Sequence, residues 1–225
     1  MLQNIRIAVD AVVFGYREGK LYVLLIRQKF GSEKAYWALP GGLVHDDEPL
    51  IDAVKRELQE ETNVTVNYLE QLYTFGDDIA RDSRNRVISV AYFALIDSSK
   101  TAIKAATDAE NVEWCPVDEV PPLAFDHNLI ISAAYSRLKA KLTYQPIGFD
   151  LLPAEFLFSD IENLYCTILQ KQIDRRNFRK KMMGFGILEE TGHLSEKKEG
   201  RPAKLFRFNK AKYKAMEKEG FHFEI

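Results

Sequence analysis

Two hydrophobic periods alternate along the chain. Residues 5–16, IRIAVDAVVFGY, are apolar and β-branched, and Lys20 to Arg27 returns as KLYVLLIR across Arg17-Glu18-Gly19. Two such runs joined by a Gly-containing turn predict a β-hairpin. A polar loop follows at Gln28 to Lys34, then a short strand at Tyr36 to Leu39 and a turn or loop at Pro40-Gly41-Gly42. The spacing changes to helical at Leu50. At roughly 100° per residue, Leu50, Ile51, Val54 and Leu58 form one apolar stripe, predicting a helix from Leu50 to Thr62. Asp46, Asp47, Glu48 and Pro49 suit its start. Val64 to Phe75 reads as a strand, 76–86 as a polar loop, and the apolar run Val87 to Ile96 as a central strand. After a loop over 97–109 comes a short strand at Val112 to Pro116, then a Pro-limited turn. A helix from Asp126-His127 to about Leu142 follows, with Ile130, Ile131, Ala134 and Leu138 on one face. His127 reads as a residue of the capping region. Mixed strands with a few helices predict an α+β sandwich.

Residues 143–157, TYQPIGFDLLPAEFL, carry Pro146, Gly148 and Pro153 and read as a junction. It separates a first domain, 1–145, from a second, 146–225. In the second, Ser159 or Asp160 caps a helix whose core face is Ile161, Leu164, Tyr165 and Ile168. Asp174 caps RRNFRKKMM, in which Phe178 and Met182 face inward. A strand from Ile187-Leu188 to Glu190, a Lys-containing loop from Gly192 to Gly200 and a strand at Leu205 to Phe208 complete the pattern. Two helices followed by a hairpin predict a winged helix-turn-helix.

Charge is also divided unevenly along the chain. The net charge of −2 is uninformative until split: residues 1–170 carry −9 and residues 171–225 carry +7. A basic module attached to an acidic domain points to nucleic acid. Arg175, Arg176, Arg179 and Lys180 lie on the outer face of the second helix, and Arg201 and Lys204 at the hairpin. Together with Asn177 they are the candidate contacts to double-stranded operator DNA. A basic helix serving solubility or a protein partner is the plainer alternative. No apolar run approaches the length of a membrane span and no signal peptide is evident, so a cytoplasmic protein without membrane contact is expected. Cys115 and Cys166 have no metal-ligand spacing and are expected as buried small hydrophobes in a reducing compartment.

The candidate chemistry lies in GLVHDDEPLIDAVKRELQEETNV, residues 42–64. Glu57, Glu60 and Glu61 share one helix face that overlaps the edge of the apolar stripe. Carboxylates crowded beside a core repel one another unless a cation compensates, and oxygen ligands of this kind suit Mg²⁺ or Mn²⁺. An ordinary acidic surface helix is the alternative for a lone triplet. Gly41 and Gly42, with Arg27, Arg81 and Arg86, are candidate contacts to an anionic ligand.

The spacing from Gly42 to Glu48, Arg56-Glu57 and Glu60-Glu61 resembles the Nudix box, with Asn63 where that box has Gly. The resemblance implies metal binding by Glu57, Glu60 and Glu61, a supporting ion pair of Arg56 with Glu48, and attack of activated water on a diphosphate. Across nearly the whole chain, with PIGFDLLP, ENLY, DRRNFRKKM and GRPAKLFRF, the sequence is similar to Nudix-related transcription regulators of the NrtR type and to arabinose regulators of the same architecture. That likeness implies a homodimer that binds operator DNA through its C-terminal domain. Its Nudix domain would sense ADP-ribose or another nucleotide or sugar effector. Several relatives have lost hydrolysis; the box here is intact apart from Asn63. A metal-dependent hydrolase resembling ADP-ribose pyrophosphatases, its second domain serving dimerisation, is the alternative. An RNA-directed Nudix enzyme is a third.

Overall fold

The computed structural model describes residues 4–29, 34–99, 101–104, 110–196, 202–220 and 223–224. The chain divides into two compact units, 1–137 and 138–225. The division falls inside a helix, upstream of the Pro/Gly-containing junction.

The first unit contains strands β1 (Arg6–Arg17), β2 (Lys20–Gln28), β3 (Tyr36–Ala38), β4 (Gly41–Leu43), β5 (Tyr68–Phe75), β6 (Val87–Ile96) and β7 (Asn111–Pro116), and helix α1 (Leu50–Thr62). Helix α2 (His127–Tyr144) begins in this unit and crosses the division. The sheet runs β3-β2-β1-β6-β5, with β4 joined to β1 and β7 to β2. The β1–β6 pair is parallel and the other described pairs of this sheet are antiparallel, which makes it mixed. Glu18 and Gly19, both at positive φ, turn β1 into β2 as a primed hairpin turn requires.

Along one edge β1 changes partner. Phe14–Arg17 register with β2, whereas Ala8–Asp10 register with β4. Pro40-Gly41-Gly42 is therefore not all loop, because Gly41 and Gly42 begin a short strand laid against β1. A Cβ on Gly41 would collide with the Val9 carbonyl, and one on Gly42 with the Glu57 carboxylate. Glycine at both positions permits this close approach.

Helix α1 has the predicted bounds. Asn63 ends it in the left-handed conformation at φ 57°, its amide donating to the Gln59 carbonyl. Asn is the side chain that tolerates this position next best after Gly. Ala53, Val54 and Leu58 pack into a core with Val9, Ala11, Val13, Leu24 and Ile26, and Leu50 lies partly buried against it. Each fully buried Val or Leu side chain contributes about 1.5–3 kcal/mol before conformational entropy is set against it. Ile51 departs from the expected stripe. It sits at the stripe's flank in the first turn and stays 38% exposed, while Ala53 takes the buried position. The strand expected from Val64 starts at Tyr68. Cys115 and Cys166 are free thiols and only partly buried, not enclosed as expected.

The second unit has β8 (Phe156–Leu157), α3 (Phe158–Leu169), α4 (Arg175–Gly184), β9 (Leu188–Leu194), β10 (Lys204–Phe208) and α5 (Lys210–Glu219). Its antiparallel sheet runs β8-β10-β9. Ile161, Leu164, Tyr165 and Ile168 of α3 are fully buried, as are Phe178 and Met182 of α4 nearly or wholly. The Tyr165 ring packs 5.0 Å from that of Phe178, and its hydroxyl donates to the Ile147 carbonyl at 3.1 Å. The α3 start differs from expectation. Leu157 holds the N-cap position, and Asp160, inside the first turn, accepts from the Leu157 amide at 2.8 Å. Asp174 caps α4 as predicted, accepting from the Asn177 amide at 3.0 Å. Strand β8 and helix α5 were not foreseen. Asn209 caps α5 by accepting from Lys212. Among the described residues no helix is long and apolar enough to cross a membrane.

Candidate functional site

The helix face of α1 is organised by Arg56. Its guanidinium donates to both Glu48 oxygens, at 3.0 and 2.6 Å, to Glu57 at 2.8 Å, to Glu60 at 3.2 Å and to the Leu43 carbonyl at 3.2 Å. These bonds tie the loop before α1 to the middle of the helix. Arg56 is raised above its ordinary range, first by the Glu48 hydrogen bonds. Glu48 is held down to about 2, chiefly by those same bonds and then by the His45 amide. Glu57 moves the other way. Burial raises it, and Arg56 only partly offsets this. Glu61 is buried, with Oε2 accepting from the Gly41 amide at 2.9 Å.

Glu57 and Glu61 border a cavity of about 450 Å³ together with Gly41, Gly42 and His45. Its walls also include Arg6, Asp10, Gln28, Arg81, Asp82, Arg84, Phe125 and His127. This volume is in the range of small-molecule sites, about 300–1,000 Å³.

A buried polar network stands behind the cavity. Asp10, in the middle of β1, accepts from the Ser89 hydroxyl in a short hydrogen bond and from Arg81 at 3.4 Å. Arg81 also grips Asp126 with two bonds, at 3.0 and 2.6 Å. The Leu39 amide donates to His127 Nδ1 at 2.9 Å. The ring proton therefore lies on Nε2, which faces Asp10 Oδ1 at 3.4 Å. Burial opposes the charge on Asp10, but the surrounding His127, Ser89 and Arg81 outweigh it and lower its pKa. His127 is thus a buried wall residue held by its ring, not only a residue of the capping region. Arg81 gains a carboxylate on each side, which offsets the desolvation of its guanidinium.

The structure separates the expected ligand contacts. Gly41, Gly42 and Arg81 line the cavity, Arg81 with its guanidinium engaged by Asp10 and Asp126. Arg27 is exposed and lies over the Trp37 ring, 5.9 Å from its centroid. Arg86 donates to the Gly76 carbonyl at 2.7 Å, and neither it nor Arg27 is among the lining residues. Of the three expected metal ligands, Glu57 and Glu61 border the cavity, whereas Glu60 is half-exposed and engaged by Arg56. Among the described residues no group of three or more His, Cys, Asp or Glu is gathered to hold a metal. Mg²⁺ commonly uses only one or two protein carboxylates, completing its shell with water and substrate phosphates. The Glu57–Glu61 pair, one member of it strained by burial, fits that mode.

Asp10 and His127 of the wall, with Ser89 and Asp126 behind it, had no site role in the sequence reading. One signal was available, since Asp10 interrupts an otherwise apolar strand. A buried carboxylate there demands partners.

In the second unit, Arg175, Arg176, Asn177, Arg179 and Lys180 are all exposed on α4. Arg175 pairs with Glu162 at 3.2 Å, and the Asn177 side chain donates to Asp174 at 2.8 Å. The Arg179 guanidinium lies 4.5 Å from the centroid of the Phe158 ring and 5.7 Å from that of Phe206, which joins α4 to the wing sheet. Lys204 on β10 pairs with Glu190 of β9 at 2.7 Å. Arg201 lies outside the described residues.

A mixed sheet with an acidic helix, followed by a winged helix, defines a class of protein: a Nudix domain joined to a DNA-binding domain. Profile comparison agrees. The NUDIX domain matches residues 4–134, and the NrtR DNA-binding winged helix domain matches residues 148–208. The chain is 35% identical over 204 residues to the ADPR responsive transcriptional repressor NtrR of Acinetobacter baylyi, covering 89% of this chain and 80% of that one. It is similar to the crystal structure of Shewanella oneidensis NrtR complexed with a 27mer DNA, with TM-score 0.80, 30% identity and coverage of 96% and 97% of the two chains. The NUDIX domain of that NrtR complexed with ADP ribose matches with TM-score 0.56 and 37% identity, covering 61% of this chain and 90% of that one. The chain belongs to the NrtR family of Nudix-related, DNA-binding transcription regulators.

Proposed function

We propose that this protein is a repressor whose Nudix cavity binds ADP-ribose and whose winged helix binds operator DNA, effector occupancy weakening the DNA complex. The observation that carries the reading is the cavity itself. It combines a glycine pair, the buried Glu61 and part-buried Glu57 carboxylates and arginine-bearing walls in one small-molecule volume. The DNA and ADP-ribose complexes of a relative support the two halves of the reading. In this proposal α4 enters the major groove. Arg175, Arg176, Arg179 and Lys180 meet phosphates or base edges, Asn177 reads a base edge, and Arg201 and Lys204 of the wing meet the backbone. A homodimer would present two such helices to successive half-sites.

Glu57 and Glu61 are the residues that would hold Mg²⁺ or Mn²⁺ against the effector's diphosphate, with Glu60 completing the acidic face. The cation would neutralise phosphate charge there. Arg56 holds Glu48 and Glu57 in place, and the missing side chain of Gly42 lets the Glu57 carboxylate sit against the backbone. The intact Glu48–Arg56 clamp supports a second activity, slow hydrolysis of the bound diphosphate, which would clear the effector.

One experiment addresses both activities. Anisotropy of labelled DNA from upstream of the protein's own gene and its neighbours is followed against ADP-ribose with Mg²⁺, while AMP release is assayed in the same samples. Sequence-preferring binding that ADP-ribose reverses is expected. Binding that ADP-ribose leaves unchanged would overturn the effector reading. AMP release equal in wild type and Glu61→Gln would remove the hydrolytic one.

A further inference from the structure

Glu162 lies inside α3, past its first turn, and takes no part in capping that helix. Its carboxylate turns to the start of the next helix, where one oxygen lies 3.2 Å from Nε of Arg175. The Glu162 side chain is only 13% exposed, whereas that of Arg175 is 73% exposed. The acid is thus largely enclosed and the cation projects into solvent. Two costs attend this arrangement. Arg175 is the first residue of α4, where the positive end of the helix dipole disfavours a cation. A carboxylate beside a helix that meets a polyanion also repels the phosphates. The return in folding is small, because an ion pair with one partner so exposed contributes little to stability.

The geometry of the contact gives it another use. Glu162 meets Arg175 at Nε, and no other ion pair or hydrogen bond engages the Arg175 side chain among the described residues. Nη1 and Nη2 are therefore left as a forked pair of donors, in a plane that the Glu162 contact restrains. A guanidinium presented end-on in this way matches O6 and N7 of guanine, two acceptors on its major-groove edge. The first residues of the second helix are those that reach base edges in helix-turn-helix proteins. The other cations of α4 are held differently. Arg176 and Lys180 are exposed with no ion pair among the described residues, which suits phosphate contacts tolerant of geometry. Arg179 lies over the Phe158 and Phe206 rings.

We propose that Glu162 is a positioning residue of the DNA interface: it fixes the Arg175 guanidinium for end-on readout of one operator guanine, and it weakens attraction to DNA of any sequence. This rests on the DNA reading above and deepens it. Glu162 lies outside the basic set expected to meet DNA, and it acts through Arg175 and not by contact with the duplex. Arg175 then specifies sequence, whereas Arg176 and Lys180 supply phosphate affinity. Removing the Glu162 carboxylate should therefore move sequence discrimination and non-specific binding in opposite directions.

The full chain is first used to select its preferred duplex from a random-sequence library. Anisotropy at one salt concentration then measures affinity for that duplex, for its single base-pair substitutions and for a scrambled duplex. Variants are Arg175→Ala, Arg175→Lys, Glu162→Ala and Glu162→Gln. Discrimination at one G·C pair should fall by roughly tenfold or more in Arg175→Ala, the size of one lost bidentate contact. Arg175→Lys should lose the same discrimination yet bind the scrambled duplex within about threefold of wild type, because an ammonium keeps the charge without the fork. Glu162→Ala should lose part of the discrimination at that same pair and bind the scrambled duplex about two- to threefold more tightly, one repulsive charge having gone. Glu162→Gln should show the same tighter non-specific binding but keep more of the discrimination, since its amide oxygen can still accept from Nε. Urea unfolding midpoints near that of wild type show that each variant is folded. A Glu162→Ala profile unchanged at every base pair would overturn the inference. So would one lowered equally for all duplexes, which would make the pair a tether between α3 and α4. Discrimination untouched by Arg175→Lys would remove the base readout and the inference with it. A wild type that prefers no sequence would overturn the DNA reading itself.

Discussion

The two functional regions handle charge in opposite ways. In the Nudix cavity, Asp10, Arg81 and His127 are almost wholly buried and bond to one another, each constraining the next. On α4, Arg175, Arg176, Asn177, Arg179 and Lys180 are exposed: Arg175 meets Glu162, Asn177 meets Asp174, and Arg179 lies over the Phe158 and Phe206 rings. A pocket that must distinguish one small molecule needs groups whose positions are set before the ligand arrives. A surface that meets a polyanion needs charge density and can leave side chains mobile, because phosphate attraction is long-ranged and tolerant of geometry.

That contrast predicts unequal consequences of losing one arginine. Arg81→Ala should cost the most. It leaves Asp10 and Asp126 without their shared cation, and breaking a buried ion pair in this way costs about 3–5 kcal/mol. Urea unfolding should show a loss of unfolding free energy of that size; a loss under about 1 kcal/mol would mean the network behaves like a surface pair. Arg176→Ala should leave unfolding within about 0.5 kcal/mol of wild type. Its effect should appear in operator binding, where the plot of log affinity against log salt becomes shallower by about 0.9 per lost phosphate contact. An unchanged salt slope would remove Arg176 from the phosphate contacts.

The smallest effect concerns acid. Glu48 is lowered from 4.5 to about 2, first by its Arg56 hydrogen bonds. A carboxylate whose folded pKa is depressed adds stability above its unfolded value and loses it as pH falls through the folded one. The contribution should be complete above pH 4.5 and gone by about pH 2. Asp10, also lowered, adds to the loss in the same direction. Arg56→Ala should flatten the Glu48 part of this dependence, as read from urea midpoints at successive pH values. An undiminished acid slope would show that Arg56 is not its source.

What could be read from the sequence follows the range of the interactions. The bounds of α1, the inward Phe178 and Met182 and the Asp174 cap depend on residues within a few positions of one another. Spacing and propensity report such relations directly. The Glu48–Arg56 pair was implied by the resemblance to a known motif, and it too joins near neighbours, eight residues apart. The short β4 was hidden because its two glycines look like a turn, and only its pairing with β1 makes it a strand.

By itself, then, the sequence determined two units of opposite charge, the fold of each and the acidic face of α1. The tertiary structure decided the rest of the cavity. Asp10 meets Arg81 across 71 residues and Ser89 across 79. Leu39 reaches His127 across 88. No local period encodes such meetings; they exist only once β1 changes partner from β2 to β4 and the start of α2 is brought beside β3. The same closure places Phe125 on the cavity wall, beyond the reach of any reading of its neighbours in the chain.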